Sequence, residues 1–524
     1  MSTATTMSRV TGFLRIWATA YALGASGLMS AYSVANNIPN MIFELVAGGI
    51  ISSLFIPSFM EIRETESEET AWKFASHVFN LAVLALGILA IVGTLFPAPF
   101  IWTQTFRLPA GTSEVTDAAT FFFRYFAIQV VLYGAGSVMS GLLNSQRRYF
   151  WPAVGPIFNN LVAIATMLAY HSLHANAHAA NVVLAVGTTV AVVVMFGIQV
   201  PALLKTGWRY SFGLGLSDPA LRRMLRLAVP TVIYVVTNLV SVSFRNASAL
   251  AASPKGVSVL TYAWVFYQLP YGILAVALAT AVFTELAETA GQKDWSAFKS
   301  TFSSGLRATG ILMLPTSALL IALATPLVSL YRVGNFKQSD VPIVAGALRW
   351  WAVGLVFYAG TMFVLRTFYS LKDTRTPMLV NLATTGVQIG LYLLLSTGIA
   401  GWPGLGINGI PIADVAFFAL TFTLLALLLR RRIGGYDFRG VASALLRMSA
   451  ASAIAAALAW GIARLLQPVL SGFSGALLQV SVAGVAGLVI AFSLGRVFGV
   501  AEVSAATALL GRVVSRILPR KDPR

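Results

Sequence analysis

SRVTGFLRIWATAYALGASGLMSAYSVANNIPNMIFELVAGGIISSLFIPSFME, residues 8–61, decides how the chain is read. It is apolar for longer than one hydrocarbon crossing of about 20 residues requires. Yet it carries Arg9, Arg15 and Glu44. A charge at membrane depth costs at least about 2.5 kcal/mol even on lenient insertion scales, so residues kept there point to a substrate. The structural alternative has Arg9 snorkelling from a helix end and Arg15 paired with Glu44.

Outward from this stretch the composition agrees. Of 524 residues, 57% are hydrophobic and 10% charged, and the mean hydropathy is +0.79. Ordinary soluble domains carry about 25% charged residues, so a polytopic all-α membrane protein is expected. There is no cysteine, which excludes disulfides and thiol chemistry. No signal peptide is read at the N-terminus, because the first apolar segment lacks a small-residue cleavage site.

Fourteen apolar runs are long enough to span a bilayer, near 10–33, 38–61, 74–104, 118–143, 150–170, 181–204, 225–250, 257–287, 302–331, 343–370, 376–399, 408–429, 442–466 and 474–498. Cytoplasmic loops collect Lys and Arg, and the connections alternate as that rule demands. One side holds Arg147, Arg148, Lys205, Arg209, Arg222, Arg223, Arg226, Lys293, Lys299, Lys372, Arg375, Arg430, Arg431, Arg432 and Arg439, with Arg512, Arg516, Arg520, Lys521 and Arg524 in the tail. The other holds Arg107, Lys255, Arg332, Lys337 and Arg464. Both termini are therefore expected in the cytoplasm. The net charge of +18 is explained as topology, and no nucleic-acid partner is expected.

Two cytoplasmic segments resemble each other, LLNSQRRYFWP (Leu142–Pro152) and TFYSLKDTRTP (Thr367–Pro377), 225 residues apart. Asn159 and Asn160 follow the first and Asn381 the second, and the same displacement brings Gly49 and Glu61 close to Gly272 and Glu285. Six spans fit the period, so the halves share an orientation. The expected layout is two six-helix lobes, 1–215 and 216–435, related by a pseudo-two-fold axis along the membrane normal. Two further helices (436–500) and a basic cytoplasmic tail (501–524) follow.

SRVTGFLR (Ser8–Arg15), NNIPN (Asn36–Asn40), LLNSQRRYFWPAVGPIFNN (Leu142–Asn160) and above all FYSLKDTRTP (Phe368–Pro377) resemble the MurJ/MviN family of bacterial lipid II flippases. That family lies within the multidrug/oligosaccharidyl-lipid/polysaccharide exporter superfamily. The resemblance runs from Ser8 to about Arg432. It implies fourteen helices around a central cavity, a bacterial cytoplasmic-membrane location and a peptidoglycan precursor as cargo. It makes Asn40, Asn160, Asp373, Arg375 and Pro377 structural motif residues. It carries the family's first-helix arginines onto Arg9 and Arg15. Other family charges do not carry over: an acidic position falls on Ser30, a basic one on Phe43 with Glu44 beside it, and another basic one near Val265.

Basic residues inside the expected spans are Arg15, Arg124, Arg245, Arg349 and Arg366; acidic ones are Glu44 and Asp414, with Glu285 near an end. A guanidinium fork suits phosphate oxygens and stays charged when desolvated. Arg9, Arg15, Arg245 and Glu44 are therefore the candidate substrate-binding residues, for a lipid-linked anionic oligosaccharide moved by alternating access. Glu44 and Asp414 are candidates for ion coupling. Arg124 and Arg349 read as snorkelling, and Arg366 as structural. The expected hinges are Pro39, Gly48, Gly49, Pro57, Pro270 and Gly272. No GxxxxGK[ST] loop occurs, and no cofactor or metal is expected. The protein is expected to be monomeric in membrane lipid, with contact to the cell-wall synthesis machinery.

Three alternatives stay open. One is an exporter of another polyprenyl-linked glycan or of cations. Another is a membrane enzyme using His171, His174 and His178 as metal ligands, though an exposed loop accounts for these better. The third is a non-transporting cell-wall scaffold. The acidic run Glu64–Glu69 reads as a solvated loop.

Overall fold

The chain is described here from a computed structural model covering residues 2–44, 54–109, 113–173, 175–398 and 401–503. By contacts it forms two units, Met1–Ser258 with Val333–Lys337, and Val259–Arg332 with Gln338–Arg524. The first unit holds α1 (Ser2–Leu23), α2 (Gly27–Phe43), α3 (Ile56–Thr65), α4 (Glu68–Leu95), α5 (Pro97–Thr105), α6 (Ser113–Phe126), α7 (Gln129–Ser145), α8 (Phe150–Ser172), α9 (Ala177–Gly197), α10 (Val200–Leu204) and α11 (Pro219–Ala252). The second takes most of α12 (Gly256–Pro270), then α13 (Val276–Gly291), α14 (Trp295–Ala322), α15 (Ala324–Ser329), α16 (Val341–Val353), α17 (Leu355–Ser370), α18 (Arg375–Thr397), α19 (Gly409–Arg432), α20 (Phe438–Leu466) and α21 (Gly472–Val497). No strand occurs among the described residues.

Nine helices among the described residues are long and apolar enough to cross a bilayer, or up to 11 if each of two bent pairs is one span. Fourteen were expected; residues 45–53 of the second expected span, with Gly48 and Gly49, lie outside the described residues. Two long helices, α1 and α11, are absent from the nine. Both interrupt their apolar run with arginine and hydroxyl side chains.

The first expected boundary is corrected. Residues 10–33 are not one helix: α1 stops at Leu23 and α2 starts at Gly27. Gly24 has φ +61°, a left-handed conformation that ends helices, and its N–H donates to Ala20 O at 3.0 Å. A Cβ there would lie 2.2 Å from the Asn335 carbonyl oxygen, so only glycine fits. Ser26 then caps α2, accepting from the Met29 N–H at 3.1 Å. NNIPN therefore lies inside α2.

The repeat is written into the backbone. Helices α8 and α18 have 23 residues each and start 225 residues apart. Ahead of each, a non-glycine residue takes positive φ, Arg147 at 58° and Lys372 at 57°. In both loops the next N–H reaches back five residues, Arg148 to Leu143 O at 2.8 Å and Asp373 to Phe368 O at 3.0 Å. This closure satisfies the orphan carbonyls of the preceding helix end. The preceding spans are both bent, by 43° between α6 and α7 and by 45° between α16 and α17. Each unit also has a buried core rich in aromatic rings: Phe55, Phe59 and Phe74 with Leu142 in the first, Phe298, Phe302, Phe363 and Phe368 in the second.

Helices α20 and α21 pack against α14 and each other. Ala451, Ala455, Ala459 and Ala463, four residues apart along one stripe of α20, are buried. Small residues at this spacing let helices approach closely without a hydrophobic drive. A Cβ at Gly487 would lie 2.4 Å from Leu319.

Candidate functional site

In the first unit α1 packs along α8. The Asn160 amide, buried on α8, donates to Thr11 Oγ1 at 3.0 Å and to Ser8 O at 3.3 Å. This amide fixes the turn of α1 that carries Arg9. Arg9 is exposed and Arg15 half-buried. Six residues of ideal helix separate them by about 9 Å along the axis and about 120° around it. The two arginines are therefore successive stations along α1 rather than one clamp.

Arg15 is within electrostatic reach of two tyrosines. Its charge acts on the hydroxyls of Tyr32 and Tyr133. Tyr32 shares a hydrogen bond with Thr188 at 3.1 Å and meets Phe122 and Phe126 edge-on. Tyr133 donates to Asn40 Oδ1 at 3.0 Å, and the Asn40 amide donates to Asn36 O at 2.7 Å. Among the described residues neither Arg9 nor Arg15 forms an ion pair.

Glu44 is exposed at the C-terminal end of α2, and the cation whose field it feels is Arg245, not Arg15. Arg245 is half-buried on α11, which an amide relay holds to α5: Asn246 donates to Gln104 at 2.8 Å, and Gln104 to Ser243 at 2.7 Å. The positions where family charges do not carry over have other work. Ser30 is fully buried, its Oγ accepting the Ser258 N–H in the first turn of α12 at 3.1 Å. Phe43 packs on Tyr133 with ring centroids 4.8 Å apart. Val265 lies between Trp264, whose ring meets Trp351 edge-on, and Tyr267, whose ring stacks on Tyr358.

The remaining candidates sit in the second unit. Asp414 is buried on α19. Trp351 Nε1 and Gln388 Nε2 each donate to it at 2.8 Å, and the Tyr392 hydroxyl donates as well. Asp373 accepts the N–H and hydroxyl of Thr376 at 3.0 and 2.8 Å and pairs with Arg432. Partial burial works against its ionisation but is outweighed by the Thr376 hydrogen bonds, the Arg432 charge and the Arg375 backbone N–H. Its carboxyl is held below the usual range. Arg375 is exposed and Pro377 buried in the first turns of α18. Arg366 donates to Thr280 at 2.5 Å and Arg349 to Thr325 at 2.6 Å, while Arg124 is exposed.

Arg307 escaped the sequence reading although it lies inside an expected span. It binds Glu502 at 2.5 Å and Asp437 at 3.0 Å, tying α14 to the start of α20. The Trp351, Gln388 and Tyr392 donors around Asp414 were also missed. His171 packs on Tyr21 and His178 on Phe121, and His174 lies outside the described residues. Among the described residues no group of three His, Cys, Asp or Glu side chains could hold a metal ion.

The family model described as "Lipid II flippase MurJ" matches residues 19–482. A "Probable lipid II flippase MurJ" of Rhizobium meliloti (strain 1021) is 30% identical over 475 residues, 89% of this chain and 86% of the relative. The "Lipid II flippase MurJ" of Burkholderia cenocepacia is 28% identical over 438 residues, 82% of each. In three dimensions the chain is similar to "Lipid II flippase MurJ, inward closed conformation", with TM-score 0.77, 21% identity and coverage of 95% and 98%. It is also similar to an inward-facing MATE family transporter, with TM-score 0.67, 17% identity and coverage of 83% and 95%. Extending over most of the chain, these matches show that the chain belongs to the MurJ family of lipid II flippases.

Proposed function

We propose that this protein moves lipid II, a polyprenyl-diphosphate-linked peptidoglycan precursor, from the inner to the outer leaflet of the bacterial cytoplasmic membrane. The observation that carries this reading is Arg15: half-buried within α1, its charge felt at two tyrosine hydroxyls, and without a carboxylate partner among the described residues. A phosphate supplies the oxygens its guanidinium fork lacks. Arg9, at the more exposed station, meets the headgroup first and Arg15 second, with Arg245 and Glu44 contacting the sugar–peptide part. Alternating access then carries the headgroup across while the polyprenyl tail stays in lipid. Pro39, Pro57, Pro270 and the π-helical turn Tyr271–Ala275 are the points where the spans yield.

With both termini cytoplasmic and the interior negative, each negative charge moved outward gains about 2.3 kcal/mol per 100 mV. A diphosphate is thus driven without ATP. Glu44 is the better candidate for ion coupling, because the Asp414 carboxylate already has three donors. A scaffold role is less well supported, since it calls for Arg9 and Arg15 to be paired internally. The protein works as a monomer next to the cell-wall synthesis machinery. The test is replacement of an essential lipid II flippase by this protein in depleted cells. Growth is expected, and lysis despite normal membrane levels of the protein would overturn the reading.

A further inference from the structure

We infer that the end of the second unit where α14, α16, α20 and α21 come together binds the phosphate of an anionic phospholipid. A cavity of about 450 Å³ lies there, lined by Arg332, Arg349, Arg464, Gln338, Gln467 and Gln479 among others. This volume falls in the ordinary range for a ligand site. None of its described lining residues is acidic. Each guanidinium is steadied by a neutral neighbour: Arg332 donates to Gln338 at 2.8 Å, Arg349 to Thr325 at 2.6 Å, and Arg464 lies 4.1 Å over the Trp460 ring. Among the described residues none of the three has an ion-pair partner. Three positive charges sharing one cavity repel each other, and an anion removes that cost.

The start of α21 adds to this field. Ser471 and Gly472 line the cavity, so the positive end of the α21 helix dipole faces it and favours an anion there. Arg332 stands beside them, 3.8 Å from where a Cβ of Gly472 would lie. The rim favours a lipid over a free anion: Leu465, Val469, Leu470 and Leu477 on the same helix ends expose 78%, 60%, 47% and 46% of their surface. Acyl chains lie against such a surface while the headgroup meets the arginines. The loop-charge pattern puts this end outside, where cations are few, yet Arg332 and Arg464 gather here.

The test titrates the full-length protein, purified in uncharged detergent, with short-chain phosphatidylglycerol, phosphatidylcholine of the same chain length, or inorganic phosphate, reading melting temperature and bound lipid by native mass spectrometry. Phosphatidylglycerol is expected to bind and stabilise, and phosphatidylcholine to bind at least about tenfold more weakly. Arg332→Gln and Arg464→Gln should each weaken phosphatidylglycerol binding about tenfold. Arg464→Lys, which keeps the charge and loses the fork, should fall between and serves as the reading if a glutamine variant fails to fold. Arg124→Gln, at an exposed arginine with no assigned binding role, should leave this binding unchanged, and growth supported by the Arg332 and Arg464 variants in flippase-depleted cells separates the proposal from the transport reading. Equal binding of both lipids, binding unaffected by the arginine variants, or full reproduction of the shift by inorganic phosphate would overturn it.

Discussion

Arg15 in the first unit and Asp414 in the second are charges set within helices, and they are handled in opposite ways. Asp414 is 3% exposed and receives Trp351, Gln388 and Tyr392. Arg15 is half-buried, with two tyrosines in electrostatic reach and no ion pair among the described residues. An enclosed carboxylate with three donors holds helices together; a half-buried guanidinium without an ion pair is the one that the proposed transport reading assigns to the phosphate of the cargo. The helices that carry them differ alike, since α19 is among the apolar spans and α1 is not.

That contrast is sharpened by what each loss should do to stability. Asp414→Ala strands three buried donors and is expected to cost about 3–5 kcal/mol, read as a large fall in melting temperature in detergent; Asp414→Asn, which keeps an acceptor, should cost less. If Asp414→Ala melted like wild type, the carboxylate would not be a structural anchor. Ser30→Ala, leaving the buried Ser258 N–H without its acceptor, should cost about 1–3 kcal/mol. Asp373 predicts a pH effect. Its folded-state carboxyl is held below the usual range, so its contribution is complete above the unfolded value near pH 4 and fades as pH falls through the folded one. Melting curves from pH 6 to pH 3 should show this loss and Asp373→Asn should flatten it. Arg15→Ala should have the smallest effect, within about 1 kcal/mol, because no internal ion pair is broken.

Much of this was legible in the sequence because it rests on local rules. The loops LLNSQRR and TFYSLKD announced the repeat, and their shared backbone closure at Arg147 and Lys372 explains why two chemically different loops look alike. Arg15 stood out because an arginine in an apolar run has a cost. What stayed hidden was long-range or masked by apolarity. The break at Gly24 sits inside a continuous apolar run, and its cause is the approach of Asn335, distant in sequence. The donors around Asp414 come from α16 and α18, and those residues look like ordinary core positions. Arg307 lay in plain view, but its partners Asp437 and Glu502 come from far along the chain. Family positions without charge, Ser30 and Phe43, looked like losses; one accepts a helix-start N–H and the other packs on Tyr133.

The most direct test compares Arg15→Ala, Arg15→Lys and wild type in cells depleted of their own lipid II flippase, at matched membrane levels and with matched melting temperatures. The account predicts that wild type sustains growth, that Arg15→Lys does so weakly, and that Arg15→Ala fails while remaining folded. Full growth on Arg15→Ala would contradict it, since the open charge on α1 would then have no part in transport.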